Sequence, residues 1–425
     1  MRVIRNATLV DGRVRDVRLN DGGRIDAVAP ELDGEDWLDA DGYRLLPGAV
    51  DAHVHFREPG FSHKETWATG SRSAAAGGVT TVVDQPNTSP ATTDAASFDE
   101  KERYASESLV DYGINGGVTE AWDPDSLFER PLFALGEVFL ADSTGEMGID
   151  AELFAEALAR AADEDVPVTV HAEDAALFED DAKERDDADA WSAYRTAEAE
   201  AVAVERAVEV GEESDAQVHI AHTSTPEGVD AASAGGATCE VTPHHLFLSR
   251  DDLSELGTFG RMNPPLRSEE RREALFERLV DGTVDIVATD HAPHTREEKD
   301  AGIWDAPSGV PGVETSLPLL LAAVDDGRLT WSRVRDLTAA NPARIFDLPA
   351  KGKVEAGRDA DLVLVDPEDR REIRGDDLHS KCEWTPFEGF EGVFPTLTLV
   401  RGEIAYDARG DDETFGSGVG RNVGR

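Results

Sequence analysis

Val50-Asp51-Ala52-His53-Val54-His55-Phe56-Arg57-Glu58-Pro59-Gly60 closes an apolar run with two imidazoles two residues apart. On a β-strand, residues i and i+2 face the same way, so His53 and His55 aim into one space. Two neutral imidazoles there make half of a transition-metal site, and imidazole suits zinc better than magnesium or calcium. A bare His-x-His is equally compatible with two satisfied histidines at a strand end. The rest of the chain decides between these readings.

The run at 48–55 is the first of eight. Apolar stretches at about 48–55, 79–84, 110–116, 135–141, 166–171, 217–222, 238–243 and 284–290 recur between Ala/Glu/Arg-rich segments of helical periodicity, such as 151–164 and 196–212. Continuous Val/Ile/Thr-rich runs of this length suit strands buried on both faces. Eight alternations over roughly 300 residues predict an α/β fold, a (β/α)8 TIM-type barrel, whose reactive groups sit where strands end and loops begin. A doubly wound open sheet competes, but no Gly-x-Gly-x-x-Gly turn follows an early strand. The flanks read differently. Residues 1–47 form short strands broken by Asp11-Gly12, Asp21-Gly22-Gly23 and Asp41-Gly42, and 352–406 repeat the pattern through Asp361-Leu362-Val363-Leu364-Val365 and Thr396-Leu397-Thr398-Leu399-Val400. The expected organisation is a small β-sandwich built from 1–47 and 352–407, a barrel at 48–351, and a disordered Gly- and Asp-rich tail at 408–425.

The 425 residues carry 88 acidic and 41 basic side chains, a formal charge of −47. Such a chain repels nucleic acid and anionic membrane surfaces. The acids are spread along its whole length and lysine is scarce, as expected of a halophilic protein kept soluble in concentrated salt. An acidic substrate entering this field needs local positive charge. Cys239 and Cys382 give no disulfide framework. Met1-Arg2-Val3-Ile4-Arg5 has no apolar targeting segment, and no run of about 18 uncharged apolar residues occurs, so a cytoplasmic protein is expected.

Run five ends in His171-Ala172-Glu173-Asp174 and run six in His219-Ile220-Ala221-His222, each with an imidazole at a strand tip. Run eight ends in Thr289-Asp290-His291-Ala292-Pro293-His294, where Asp290 would otherwise be an awkward charge on a core strand. Each histidine alone reads as a satisfied core residue. Jointly, His53, His55, His171, His222 and Asp290 at the ends of four runs predict one converging site at a barrel mouth. A hydrolytic metal site needs an open position for water and a nearby carboxylate to move the water's proton, a role Asp290 fits.

These segments, with Ala76-Gly77-Gly78-Val79-Thr80-Thr81, Asp84-Gln85-Pro86-Asn87-Thr88, Met262-Asn263-Pro264-Pro265-Leu266-Arg267 and Gly357-Arg358-Asp359-Ala360-Asp361-Leu362-Val363, resemble the cyclic amidohydrolases over nearly the full length, and among them the branch acting on dihydroorotate. The resemblance implies zinc held by His53, His55, His171, His222 and Asp290, with Asp290 also carrying the proton from the attacking water to the amide nitrogen. It implies reversible hydrolysis of L-dihydroorotate to N-carbamoyl-L-aspartate, a step of de novo pyrimidine biosynthesis. Arg57, Asn87 and Asn263 resemble that branch's clamp for the substrate carboxylate, and guanidinium meets carboxylate with paired, charge-assisted bonds. His294 and the loop Ala306-Pro307-Ser308-Gly309, through Pro307 and Gly309, resemble further substrate contacts. For Arg57 the competing reading is a salt bridge with Glu58 on the outside of the barrel.

One segment departs from the family. Many relatives carry on strand four a lysine that becomes carboxylated and bridges two metals, in a Lys-x-Phe context before Ser-Thr-Gly. Here Gly136-Glu137-Val138-Phe139-Leu140-Ala141-Asp142-Ser143-Thr144-Gly145 puts Glu137 at that place. Glutamate falls short of a carboxylated lysine by roughly 3 to 4 Å and bridges only if the backbone or the metals shift. Three outcomes stay open: Glu137 bridges two zincs, Asp142 does so from the loop, or one zinc is bound. We favour the bridged pair. Two alternatives remain for function. An allantoinase or hydantoinase-like enzyme would take a neutral ring and leave Arg57 unpaired. An inactive scaffold for aspartate transcarbamoylase would have no physical reason to keep the ligands together. A small-molecule substrate is expected, and a homo-oligomer or a contact with aspartate transcarbamoylase is compatible with the sequence.

Overall fold

The computed structural model describes residues 2–34, 36–140 and 147–425. Five strands open the chain: β1 (Arg2–Leu9), β2 (Val14–Leu19), β3 (Ile25–Ala29), β4 (Asp36–Asp39) and β5 (Arg44–Pro47). Eight more follow at the eight expected runs: β6 (Ala49–Val54), β7 (Val79–Asp84), β8 (Asp111–Ile114), β9 (Leu135–Phe139), β10 (Val168–His171), β11 (Val218–Ile220), β12 (Thr238–Val241) and β13 (Ile286–Val287). The chain ends with β14 (Leu362–Glu372), β15 (Glu391–Val400), β16 (Glu403–Asp407) and β17 (Thr414–Phe415).

Strands β6 to β8 pair in parallel, as do β9 to β13. Single parallel bridges, Gly116 to Leu135 and Val54 to His291, join the two groups at both seams. The eight strands therefore close into a barrel, and the open-sheet alternative falls. Helices fill the crossovers as the sequence leads one to expect. In Ala151–Asp163, Asp150 caps the amides of Glu152 and Leu153, and Phe154, Ala157, Leu158 and Ala161 form the buried stripe. Helix Ala197–Ser214 starts at Thr196, which accepts from the Ala199 amide, and stops at Asp215 in the left-handed region.

The two chain ends share one branched nine-stranded sheet, in the order β17-β16-β15-β14-β5-β1-β2-β3 with β4 added at β1. It folds around its own apolar cluster, the small β-unit expected from both chain ends, with its strands hydrogen-bonded into one sheet. Strand period explains how it sits on the barrel. On β14, Leu362 and Leu364 enter the sheet's own core, while Val363 and Val365 on the other face join the barrel's core.

The tail expected to be disordered is built into the fold. Phe415 pairs with Tyr406, and the Tyr112 amide donates to Arg421 O (3.0 Å) while its carbonyl accepts from the Val423 amide (2.8 Å). This stretch lies along β8 beside the seam with β9, where the barrel's own pairing is one bridge. Its glycines mark close approach of backbones: a Cβ at Gly420 or Gly424 would overlap the carbonyl oxygen of Val110 or Pro131. Both cysteines are free and buried. Among the described residues, no helix is long and apolar enough to cross a membrane.

Candidate metal centre and substrate pocket

Alternation along β6 sends Asp51, His53 and His55 to one face, while Val50 and Ala52 pack into an apolar cluster with Ile286, Ala288 and Ile345. At the same end of the barrel, β9 carries Glu137, β10 ends in His171, and the turns after β11 and β13 carry His222 and Asp290. All six side chains are buried. His53, His55 and Asp290 bring ligand atoms within 4.8 Å of one another, as do His53, Glu137 and His222. His171 joins the second group, with Nδ1 2.9 Å from Glu137 Oε1 and 3.0 Å from His222 Nε2.

Outer partners fix which ring nitrogen faces inward. His53 Nδ1 donates to Glu240 Oε1 (2.7 Å), His55 Nδ1 to Asn87 Oδ1 (2.8 Å) and His171 Nε2 to Glu173 Oε2 (2.8 Å). The opposite nitrogen of each ring then presents a lone pair to a carboxylate: His55 Nε2 to Asp290 Oδ1 at 2.9 Å, His53 Nε2 to Glu137 Oε2 at 3.3 Å, and His171 Nδ1 to Glu137 Oε1. Acceptors facing acceptors at this spacing suit a cation, and His53 Nε2 and His222 Nδ1 are buried with no hydrogen-bond partner among the described residues. The donor set of imidazoles and carboxylates fits a divalent transition metal.

The same opposition sets the pKa values. A proton competes with a metal for the same lone pair: burial works against a charged His171, but the Glu137 and Glu173 carboxylates outweigh it and push its pKa up to about 9. His53 is raised in the same way, with burial opposing and Glu137 and Glu240 prevailing. For His55 burial prevails and lowers the pKa. Burial favours the neutral acids, yet the imidazoles hold Glu137 and Asp290 below the ordinary carboxylate range.

Glu137 spans both groups, with Oε2 toward His53 and Oε1 toward His171 and His222, the last at 2.6 Å. Its reach comes from the backbone. Leu135 pairs with Val168 and Val138 with Val170, so β9 holds one residue more than β10 between these rungs, a bulge that re-aims a side chain. Gly136 makes the bulge possible: its φ is +134°, and a Cβ there would overlap Thr169. Asp142, the other carboxylate considered for this place, lies outside the described residues.

Arg57, Asn87, Asn263, Ser308 and Gly309 line the cavity above Glu137, His171, His222 and Asp290. Arg57 is 5 % exposed and, among the described residues, forms no ion pair; its Nε donates to Pro293 O (3.2 Å). Glu58, the partner considered for it, accepts from the Trp67 amide instead. Arg57, His222 and Asp290 all have positive φ, of 68°, 33° and 46°. Backbone strain gathered at one site is a mark of function. His294 and Pro307 stand behind the wall. His294 Nε2 donates to Ser308 O (2.9 Å), and the Pro307 carbonyl accepts from Lys299 (2.9 Å).

Sequence reasoning passed over Glu240, which also binds His219 through Oε2 (3.2 Å), and the pairing of Glu173 with Arg195. The signal was present, since an acid in the middle of core strand Thr238-Cys239-Glu240-Val241 is as awkward as Asp290.

Residues 44–405 match the amidohydrolase family. The chain is 72% identical to a dihydroorotase of Halobacterium salinarum over 425 residues, all of both proteins. It is 48% identical to a dihydroorotase of Methanosarcina mazei over 387 residues, 87% of this chain and 85% of that one. Of the solved structures, L-hydantoinase (dihydropyrimidinase) from Arthrobacter aurescens is similar at a TM-score of 0.94 and 28% identity, covering 100% of this chain and 99% of that one. The matched span runs from β5 into β16 and so takes in the whole barrel with every cavity residue named above; the chain belongs to the amidohydrolase family.

Proposed function

We propose that this enzyme interconverts L-dihydroorotate and N-carbamoyl-L-aspartate, the reaction that fits the name dihydroorotase carried by the relatives reported above. The observation that carries the reading is Arg57, a buried guanidinium that has no carboxylate partner among the described residues, on the wall of the cavity whose floor is the imidazole and carboxylate cage. An anionic ring supplies the missing charge. The solved neighbours are named hydantoinase and dihydropyrimidinase, but a neutral ring would leave Arg57 buried and unpaired, a cost of several kcal/mol.

Zinc, two ions per chain, is the cofactor that suits the cage: His53, His55 and Asp290 would hold one, His171 and His222 the other, with Glu137 shared. When bound, the metal acidifies the attacking water and polarises the ring carbonyl. Asp290 accepts the proton of that water and delivers it to the ring nitrogen as the C–N bond breaks; in ring closure it removes the proton of the carbamoyl nitrogen. Arg57, with Asn87 and Asn263, orients the carboxylate so that the scissile amide lies over the cage. We place the catalytic unit at 48–351, which contains all these residues, with 1–47 and 352–407 as the flanking β-unit.

The test is turnover of L-dihydroorotate and, separately, allantoin in molar KCl, on protein stripped of metal and titrated with zinc. Opening of dihydroorotate alone, saturating at two zincs per chain, is expected. Preference for allantoin overturns the substrate, and saturation at one zinc removes the shared role of Glu137.

A further inference from the structure

We propose that Lys299 is a positioning residue for the anionic end of the substrate, a buried cation that ties together the two segments lining that end and is balanced only when a carboxylate enters. This inference rests on the reading of the cavity as an anion site.

Lys299 closes the one-turn helix Arg296–Lys299 and is 0 % exposed. Its Nζ donates to the carbonyls of Arg261 (2.9 Å), Pro307 (2.9 Å) and Gly309 (3.1 Å). Three acceptors match the three N–H groups of an ammonium, whereas a neutral amine would set its lone pair against a carbonyl oxygen. Both tethered segments end in the cavity. Arg261 leads two residues on to Asn263, and Pro307 and Gly309 bracket Ser308. The Gly309 amide also donates to Arg261 O (3.0 Å), so the segments are tied directly as well as through the ammonium.

Arg261 and Trp191 complete the ring of contacts. The Arg261 guanidinium lies 3.8 Å from the Trp191 ring centroid and donates to Ser308 Oγ (3.2 Å), while Trp191 Nε1 donates to Asn263 Oδ1 (3.0 Å). Moving Lys299 would therefore release Asn263 and Ser308 together.

The charge acts along with the geometry. Among the described residues, none of Arg57, Arg261 and Lys299 forms an ion pair with a carboxylate. Burial, and then the guanidiniums of Arg261 and Arg57, press the Lys299 pKa down. In a chain of formal charge −47, three neighbouring cations that form no ion pair among the described residues, with Arg57 on the cavity wall, mark where an anion belongs. A bound carboxylate relieves their mutual repulsion.

The experiment compares wild type with Lys299→Met and Lys299→Gln in molar KCl: KM and kcat for L-dihydroorotate, zinc content, and thermal melting. Met keeps the stem and removes charge and donors; Gln keeps two donors and removes the charge. The expected result is folded, zinc-replete variants with KM raised about 10- to 100-fold and kcat within about threefold, the pattern of lost ground-state binding. An unchanged KM, a fall in kcat alone, or loss of the fold in both variants overturns the assignment. Wild type that fails to open dihydroorotate overturns the reading of the cavity itself, whereas active wild type with unaffected variants overturns only the role of Lys299.

Discussion

Glu240 sits on β12 with one carboxylate oxygen on His53 Nδ1 and the other on His219 Nε2, and His219 Nδ1 in turn meets Thr238 Oγ1 at 2.8 Å. This chain holds the His53 ring at a fixed tilt with its Nε2 lone pair inward. Glu240→Gln keeps the shape and removes the charge that makes His53 a strong ligand. Zinc affinity should fall about 10- to 100-fold, read by competition with a chelator, while kcat at saturating zinc changes less. Equal affinities would show that packing alone orients the ring. A single sequence makes residues of this kind hard to see. The four histidines announce themselves at strand tips, whereas a carboxylate inside a strand names no partner until the barrel closes around it.

At the scale of elements, the bulge in β9 decides what a glutamate can do. The eight barrel strands were legible because strands buried on both faces leave continuous apolar runs, and each expected run contains one. The bulge was not. One extra residue between two rungs has no periodic signature, and Gly136 was its only trace. Gly136→Ala places a side chain at φ +134° against Thr169, so the strand must shift. Strain of this kind costs about 1–3 kcal/mol. The variant should melt earlier than wild type and bind fewer zinc ions per chain, measured by calorimetry and metal analysis. A full complement of zinc in a stable variant would show that Glu137 reaches the cage without the bulge. The tail was misread for a related reason: glycine and aspartate enrichment describes a disordered chain and a closely apposed backbone equally well.

Across the whole molecule, charge and long-range ties set the conditions for stability. At −47 the protein repels itself, and screening shortens the reach of that repulsion from about 10 Å at 0.1 M salt to about 3 Å at 1 M. Salt also weakens surface ion pairs, but these contribute only about 0–1 kcal/mol each, so relief of repulsion wins. The melting midpoint should fall on dialysis from molar KCl to about 0.1 M, and an unchanged midpoint would count against salt adaptation. A second tie is His379, whose Nδ1 meets Glu314 Oε1 and whose Nε2 meets Glu413 Oε1, both at 2.8 Å, joining the barrel to the terminal segment. Burial opposes its charge, but the two carboxylates outweigh burial and raise its pKa from 6.5 to about 9. A raised imidazole pKa stabilises the fold fully below 6.5 and loses that contribution as pH rises through 9. Unfolding free energy, followed by denaturant titration, should therefore decline across this window in wild type and less so in His379→Gln. Parallel curves would sink the assignment.

The stretch at 421–423 along β8 bears on what that strand offers to other chains. Tyr112 has its amide and its carbonyl both taken up by this stretch, at a seam where β8 and β9 share one bridge. Without it, the flank of β8 would present unpaired backbone groups beside a buried aromatic ring, and an open strand edge is a template on which a neighbouring molecule can add a strand. The last turns of the chain thus act as a selvedge, finishing the barrel wall against unravelling and against being stitched to another.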